Sequence, residues 1–295
     1  MRTLALTLAL VLGTSALGQT IGLSVSTLNN PFFVTLRDGA QAMADELGLE
    51  LLVTDAQDSV STQINDIEDL IQRGVQVLIV NPTDSDAVVP AVLAANAAGV
   101  PVIAVDRGVG AGAQLAYFIA SDNVAGGAAA GDFICEMIGG SGPVVELEGI
   151  PGVSATRERG QGFNEAIAAN CPDVTVVARQ TANFNRAEGL TVMENILTAQ
   201  PEIAAVFAHN DEMALGALQA VEASGRDILV VGFDANDDAV QAVNDCRMGA
   251  TVAQLPAQLG AQAVEAAQAI LTDGAPASVE NIAVALELVT NPDCD

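Results

Sequence analysis

Amide, carboxylate and guanidinium side chains recur in this chain just after short runs rich in Val, Ile and Leu. Ser26 and Asn30 follow "TIGLSV", Asp106 and Arg107 follow "PVIAV", Arg157 follows "VVELEG", Asn210 and Asp211 follow "AAVFAH", and Asp234 ends "VVGFD". The chemistry of such a set is recognition. Planar, fixed donors and acceptors satisfy the hydroxyls of a neutral polyol, which both donate and accept, better than they satisfy an anion. Phe32 and Phe33 stand beside Asn30 in "STLNNPFF", in a chain with eight Phe, one Tyr and no Trp. Phe33 also fits the apolar stripe of the helix that follows, so it reads as half core and both rings as a wall against a ligand. Asp211 and Ser26 read equally well as helix-start and loop partners, whereas Asp106 with Arg107 points more sharply to a site.

Other chemistries find no footing. The pentad "GVGAG" at 108–112 does not open a helix, as a dinucleotide loop must, and "GIPGVSATRERG" lacks the Lys-Ser/Thr ending of a phosphate loop. The single His, His209, has no Cys or His neighbour at ligand spacing, so it reads as a core or rim residue and not as a metal ligand or general base. No Ser, His and acid triad assembles around another His, and no G-x-S-x-G is present. Asp237 and Asp238 read as helix-start charge favoured by the macrodipole. No pattern calls for catalysis, a metal or a cofactor.

Residues at strand ends need a scaffold that gathers those ends, and the period of the chain supplies it. "TIGLSVS" precedes an amphipathic stretch at 31–47, and "LELLVTD", "VQVLIVNP" and "PVIAVDR" then alternate with helical segments. The cadence resumes after about residue 120, with helices at 124–139, 154–169, 185–199 and 211–224 between "PVVELEG", "VTVVARQ", "AAVFAHND" and "ILVVGFD". Such runs, apolar without alternation, are those of parallel strands covered on both faces, and they predict two successive doubly wound α/β units. Asp86 and Ser154 are placed to cap helices. Ligands of open parallel sheets sit at the carboxyl ends of the strands, where these polar residues lie.

Composition narrows the partners. Acidic residues number 37 and basic residues 10, all ten of them Arg, for a net charge of -27. That field repels nucleic acid and anionic lipid and argues against both. Met1 and Arg2, the apolar "LALTLALVLG" and the small residues Ala16 and Gly18 read as a secretory leader over 1–18, cut before Gln19, for an exported protein. No later apolar run reaches the about 20 residues of a membrane span, so no direct membrane anchor is expected. Cys135, Cys171, Cys246 and Cys294 fit no zinc spacing and read as two disulfides. Three connectivities are open, and the expectation taken is Cys135 with Cys171 and Cys246 with Cys294, neighbours in chain order.

Seven blocks, "STLNNPFF", "NPTDSDAV", "IASDNVAGG", "ELEGIPGVSATRERGQGF", "FAHNDEMALGAL", "VVGFDA" and "ATVAQLPAQLG", together resemble the periplasmic ribose-binding receptors of ABC sugar importers, within the type I periplasmic binding protein family. The resemblance runs from about Thr20 to Leu288. It implies an α/β fold of two similar doubly wound parallel-sheet lobes joined by a three-segment hinge, with 20–121 plus 255–285 in one lobe and 122–254 plus 286–295 in the other. It implies a sugar site of Ser26, Asn30, Phe32, Phe33, Asp106, Arg107, Arg157, Phe184 in "ANFNR", Asn210, Asp234 and Gln254 in "VAQLP". The function it implies is capture of D-ribose by a monomeric periplasmic receptor, without catalysis, and delivery to a membrane ABC permease and to a chemoreceptor. The alternatives are a receptor for another pentose, allulose or a furanose-like signal, a transcription regulator whose effector core shares the fold, and a doubly wound dehydrogenase. The regulator would begin with a basic helix-turn-helix, and the dehydrogenase would carry glycines where "STLNNPFF" stands.

Overall fold

The computed structural model describes residues 18–294; the leader expected over 1–18 falls, apart from Gly18, outside them. The first half runs β1 (Thr20–Val25), α1 (Pro31–Leu47), β2 (Glu50–Asp55), α2 (Val60–Gln72), β3 (Val77–Val80), α3 (Val89–Ala97), β4 (Val102–Val105) and β5 (Tyr117–Ser121). The chain then passes through α4 (Asn123–Met137), β6 (Ser141–Glu148), α5 (Ser154–Asn170), β7 (Asp173–Thr181), α6 (Arg186–Ala199), β8 (Ala205–Ala208), α7 (Asp211–Ser224), β9 (Leu229–Asp234), α8 (Asp237–Asn244) and β10 (Ala250–Ala253). It ends with α9 (Pro256–Asp273), β11 (Glu280–Val284) and β12 (Glu287–Thr290).

Two six-stranded sheets result, in the orders β11-β5-β4-β3-β1-β2 and β12-β10-β9-β8-β6-β7. Every residue of β3 and β4 is fully buried, which is why these strands are continuous Val, Leu, Ile and Ala. Each such Val, Leu or Ile contributes about 1.5 to 3 kcal/mol over an exposed position. In the first sheet β1 lies between β2 and β3, with Ile21 opposite Leu51 on one side and Val77 on the other. In the second, β6 holds the matching place between β7 and β8. Helix α9 packs on α1, with Leu259, Ala263 and Val264 joining Phe33 and Leu36 in one core. It therefore returns to the first sheet after the second is built.

The chain crosses between the sheets after β5, between β10 and α9, and between β11 and β12. Three strands were not expected from sequence: β5, β11 and β12. The last two are edge strands whose residues are mostly exposed or half-buried, so they carry no apolar run. β12 also departs from the all-parallel expectation by pairing antiparallel with β10. Strands of both sheets run toward the space between the lobes, so a chain leaving β11 and crossing directly into the other sheet must run away from that space. The cysteines are joined as Cys135–Cys171, at a Cα separation of 6.0 Å, and Cys246–Cys294, at 5.4 Å. One bond ties the end of α4 to the end of α5, and the other ties the carboxyl-terminal tail to the end of α8.

Candidate functional site between the lobes

Eleven residues from the two lobes line a narrow chamber at the facing carboxyl ends of the sheets, closed down to a cavity of about 10 Å³. That is room for about one water, so a larger molecule enters only when the lobes part.

The first lobe supplies two turns. After β1, Asn30 caps α1 by accepting the Phe32 amide on Oδ1 at 2.9 Å, which leaves its Nδ2 as a donor toward the chamber. Pro31 occupies the first helical turn, where its missing N–H costs nothing. Phe32 and Phe33 follow on consecutive positions and pack edge to face, centroids 5.1 Å apart at 87°. After β4, Asp106 adopts a left-handed φ of 64°. Its Oδ2 accepts from Asn81 Nδ2 at 3.1 Å, while its Oδ1 is buried with no partner among the described residues. Arg107 donates to the Pro82 carbonyl at 3.0 Å. Its guanidinium lies 4.8 Å from the Phe33 ring centroid and 5.4 Å from that of Phe184, so one cation bridges aromatic rings of both lobes.

The second lobe closes the other side. Phe184 sits in the β7–α6 turn at φ 56°, and its ring lies so close to Gly149 that any Cβ there would overlap it. Asn210 caps α7 through Oδ1, accepting the Met213 amide at 3.0 Å, the same device as Asn30 in the first lobe. Arg159 donates from Nε to Asn123 Oδ1 at 2.8 Å and from Nη1 to the His209 carbonyl at 2.6 Å. It lies over the Phe233 ring at 3.8 Å and reaches Asp234 Oδ1 at 3.4 Å. Gln254, in the crossing between β10 and α9, donates to Asp234 Oδ1 at 2.8 Å, and its own Oε1 is buried without a partner among the described residues.

Electrostatics follow from enclosure. Burial pushes the Asp234 carboxyl up to about 7 against the opposing pull of Arg159 and Gln254. Burial likewise raises Asp106, opposed by Arg107 and Arg159, and lowers Arg107, opposed by Asp106. Two guanidinium and two carboxyl groups thus share the chamber. The arrangement can hold a small neutral molecule with apolar faces, for the rings, and a hydroxyl edge, for the unpartnered acceptors and the amide donors.

All the sequence-expected site residues except Ser26 and Arg157 line this chamber. Ser26 is buried beneath it: its amide and hydroxyl donate to Asn81 Oδ1 at 3.2 and 2.7 Å, so it holds the amide that holds Asp106. Arg157 is a correction. Its guanidinium donates to the Gly152 carbonyl at 3.0 Å and lines a separate surface hollow with Glu148 and Arg179. Arg159 takes the place expected of it. Residues two apart on a helix point to different faces, and Arg159 belongs with Ala155 and Phe163 on the buried stripe of α5. That i, i+4, i+8 spacing is the signal that would have chosen between the two arginines. Ser154 does not cap α5; its hydroxyl accepts the Gly108 amide at 2.8 Å and its amide donates to Ser85 Oγ at 3.1 Å, linking the lobes. Asp86 does not cap α3 either, because Asp84 Oδ1 accepts the amides of that turn.

His209 is a core residue, fully buried, with Nε2 3.0 Å from Glu146 Oε1. Burial alone would raise Glu146, but the bonds from His209, Arg179 and Asn164 outweigh it and hold the carboxyl below its ordinary value. This polar cluster behind Arg159 had no signal in the sequence, since its members are far apart along the chain.

The periplasmic binding protein domain model matches residues 21–276. The chain is 54% identical over 252 residues to the ribose import binding protein RbsB of Bacillus subtilis (strain 168), covering 85% of this chain and 81% of that one. It is 53% identical over 254 residues to RbsB of Escherichia coli (strain K12), covering 86% and 85%. Among solved structures, an ABC transporter periplasmic solute binding protein from Actinobacillus succinogenes 130z with bound D-allose superposes with a TM-score of 0.85 at 36% identity, covering 92% of this chain and 97% of that one. With the family model matching well over half of the chain and every residue that lines the chamber, the chain belongs to the periplasmic binding protein domain family.

Proposed function

We propose that this protein is the periplasmic receptor of an ABC sugar importer, that it binds D-ribose in the chamber between its lobes, and that it hands the sugar to a membrane permease without chemical change. The observation that carries the reading is the chamber itself. Phe32, Phe33 and Phe184 present apolar walls, and Asp106 Oδ1 and Gln254 Oε1 are buried acceptors without partners among the described residues. A sugar ring brings C–H faces to the first and hydroxyl donors to the second. The identity to the RbsB proteins supports ribose over other small sugars.

Binding and closure are one equilibrium. Asn30, Asp106 and Arg107 come from one lobe and Arg159, Phe184, Asn210 and Asp234 from the other, so only the closed form engages both sets and the ligand favours it. The permease and a chemoreceptor would then read the closed form, and the receptor acts as a monomer. Calorimetric titration with D-ribose, D-allose, L-arabinose and myo-inositol tests the reading. D-ribose should bind most tightly, with a Kd of about 1 μM or below, about -8 kcal/mol. Saturable binding of another of these sugars with no response to D-ribose would refute it.

A further inference from the structure

Asp211 is fully buried at the first turn of α7, and a surface helix-start charge would not be. Its two oxygens are both engaged outside its helix. Oδ1 accepts from the Thr251 hydroxyl of β10 at 2.7 Å, and Oδ2 accepts from the amide of Asn236 at 2.8 Å. The Thr251 hydroxyl in turn accepts from the amide of Ala235 at 3.2 Å. The two amides that follow Asp234 are thus held by one carboxylate and one hydroxyl. They need holding, because Asp234 has φ 118° and Ala235 φ 56°, conformations that residues with a Cβ adopt only when their surroundings enforce them. Room for the carboxylate is made in β9, where Gly232 lies so close to Asp211 Oδ1 that a Cβ would displace it.

We propose that Asp211 and Thr251 form a clamp that fixes the strained turn at 234–236 and so aims the Asp234 carboxylate into the chamber; the binding consequence rests on the sugar-receptor reading above. Asp211 joins three elements that carry chamber residues. It directly follows Asn210, it anchors the turn after Asp234, and through Thr251 it grips the strand that leads to Gln254. It is a positioning residue, since it does not line the chamber. Both oxygens accept, so an isosteric amide keeps only one of the two bonds as they stand: with its NH₂ group toward Thr251, the hydroxyl must turn and give up its own donation.

Two measurements on the full chain test the clamp. The first is amide hydrogen exchange at Ala235 and Asn236, which should be protected in the parent and lose protection in Thr251→Val and Asp211→Asn, while Thr251→Ser keeps it. The second is calorimetry with D-ribose. Thr251→Val and Asp211→Asn should weaken binding roughly ten- to a hundredfold with the melting cooperativity retained, and Thr251→Ser should bind close to the parent. In an Asp234→Ala background, Asp211→Asn should cost little more, because the group it aims is gone. Unchanged protection at both amides in Thr251→Val and Asp211→Asn overturns the clamp, as does an equal loss of affinity from Asp211→Asn with and without Asp234. A parent chain that binds none of the sugars overturns the receptor reading instead, and the exchange measurement still decides the clamp.

Discussion

Replacing Asp234 with Asn should stabilise the unliganded protein and weaken the sugar complex at once. The buried carboxyl stands at about 7 against an ordinary value of 3.8. At about 1.36 kcal/mol per pH unit, holding it ionised well above neutrality withholds on the order of 4 kcal/mol of folding free energy. The value of about 7 already contains the attraction to Arg159 at 3.4 Å and the bond from Gln254, so what reduces the gain is only the fit of an NH₂ group in place of the second carboxylate oxygen. A net gain of roughly 1 to 3 kcal/mol remains, a rise in melting temperature of roughly 2 to 10 °C for a chain of this size. The folded value lies above the unfolded one, so this group's contribution is full below about pH 4 and is lost as the pH rises through about 7. The difference between Asp234→Asn and the parent should therefore be largest in the variant's favour at about pH 8 and fall steadily as the pH drops toward about 4. In the complex the order reverses, because a sugar hydroxyl loses a charged acceptor worth about 1.5 to 3 kcal/mol, roughly ten- to a hundredfold in Kd. Thermal melts with and without saturating D-ribose, from about pH 8 to about pH 5, measure both effects. A lower melting temperature for the unliganded variant, or a difference independent of pH, would refute the account of Asp234 as a charge held against its own burial.

The two arginines of "SATRERG" should separate cleanly: Arg159→Met should cost binding about 2 to 5 kcal/mol by leaving Asp234 without its charged partner and the His209 carbonyl without its donor, whereas Arg157→Ala should leave the calorimetric Kd within about twofold. Gly149→Ala should displace the Phe184 ring from Arg107, destabilise the second lobe by about 1 to 3 kcal/mol in denaturant melts, and weaken the sugar complex, since the ring cannot yield without leaving the chamber wall.

Much of this architecture was legible because it rests on local rules. Short, β-branched apolar runs such as "VLIV" and "VIAV" between helical segments read as strands covered on both faces, and the polar residue that ends such a run then lies at the carboxyl edge. Asn30, Asp106, Asn210 and Asp234 were reachable by that logic. Phe184 and Gln254 were not, because neither ends a strand of the expected alternation, and only the resemblance brought them forward. What misled was treating a motif as a string. "SATRERG" contains two guanidinium groups, and only the helical stripe through Ala155, Arg159 and Phe163 tells which one faces inward. Edge strands β11 and β12 escaped because an exposed four- or five-residue strand has no apolar run to announce it. Ser26 was drawn in by adjacency, whereas its bonds to Asn81 make it a support one layer below the site.

The charge of the chain and the charge of its chamber answer different demands. Acidic residues outnumber basic ones 37 to 10, yet two of those ten arginines are buried between the lobes, where an unmatched guanidinium would be costly. Each has a carboxylate within 4 Å: Arg107 with Asp106 at 3.8 Å and Arg159 with Asp234 at 3.4 Å. The chamber is thus near neutral inside a strongly negative molecule, and a neutral sugar is neither drawn nor repelled by the outer field. Selection must then rest on hydrogen-bond geometry, which requires donors and acceptors fixed before the ligand arrives. The backbone reflects that requirement. Asp106, Phe184 and Asp234 all line the chamber and all have positive φ, with Asn183 and Ala235 beside them, among the eight such non-glycine positions in the described residues. Conformations costing about 1 to 3 kcal/mol each persist only where surrounding contacts enforce them. Here Asn81 holds Asp106, and Thr251 with Asp211 holds the turn that Asp234 begins, so rigidity in the second layer is what allows recognition in the first.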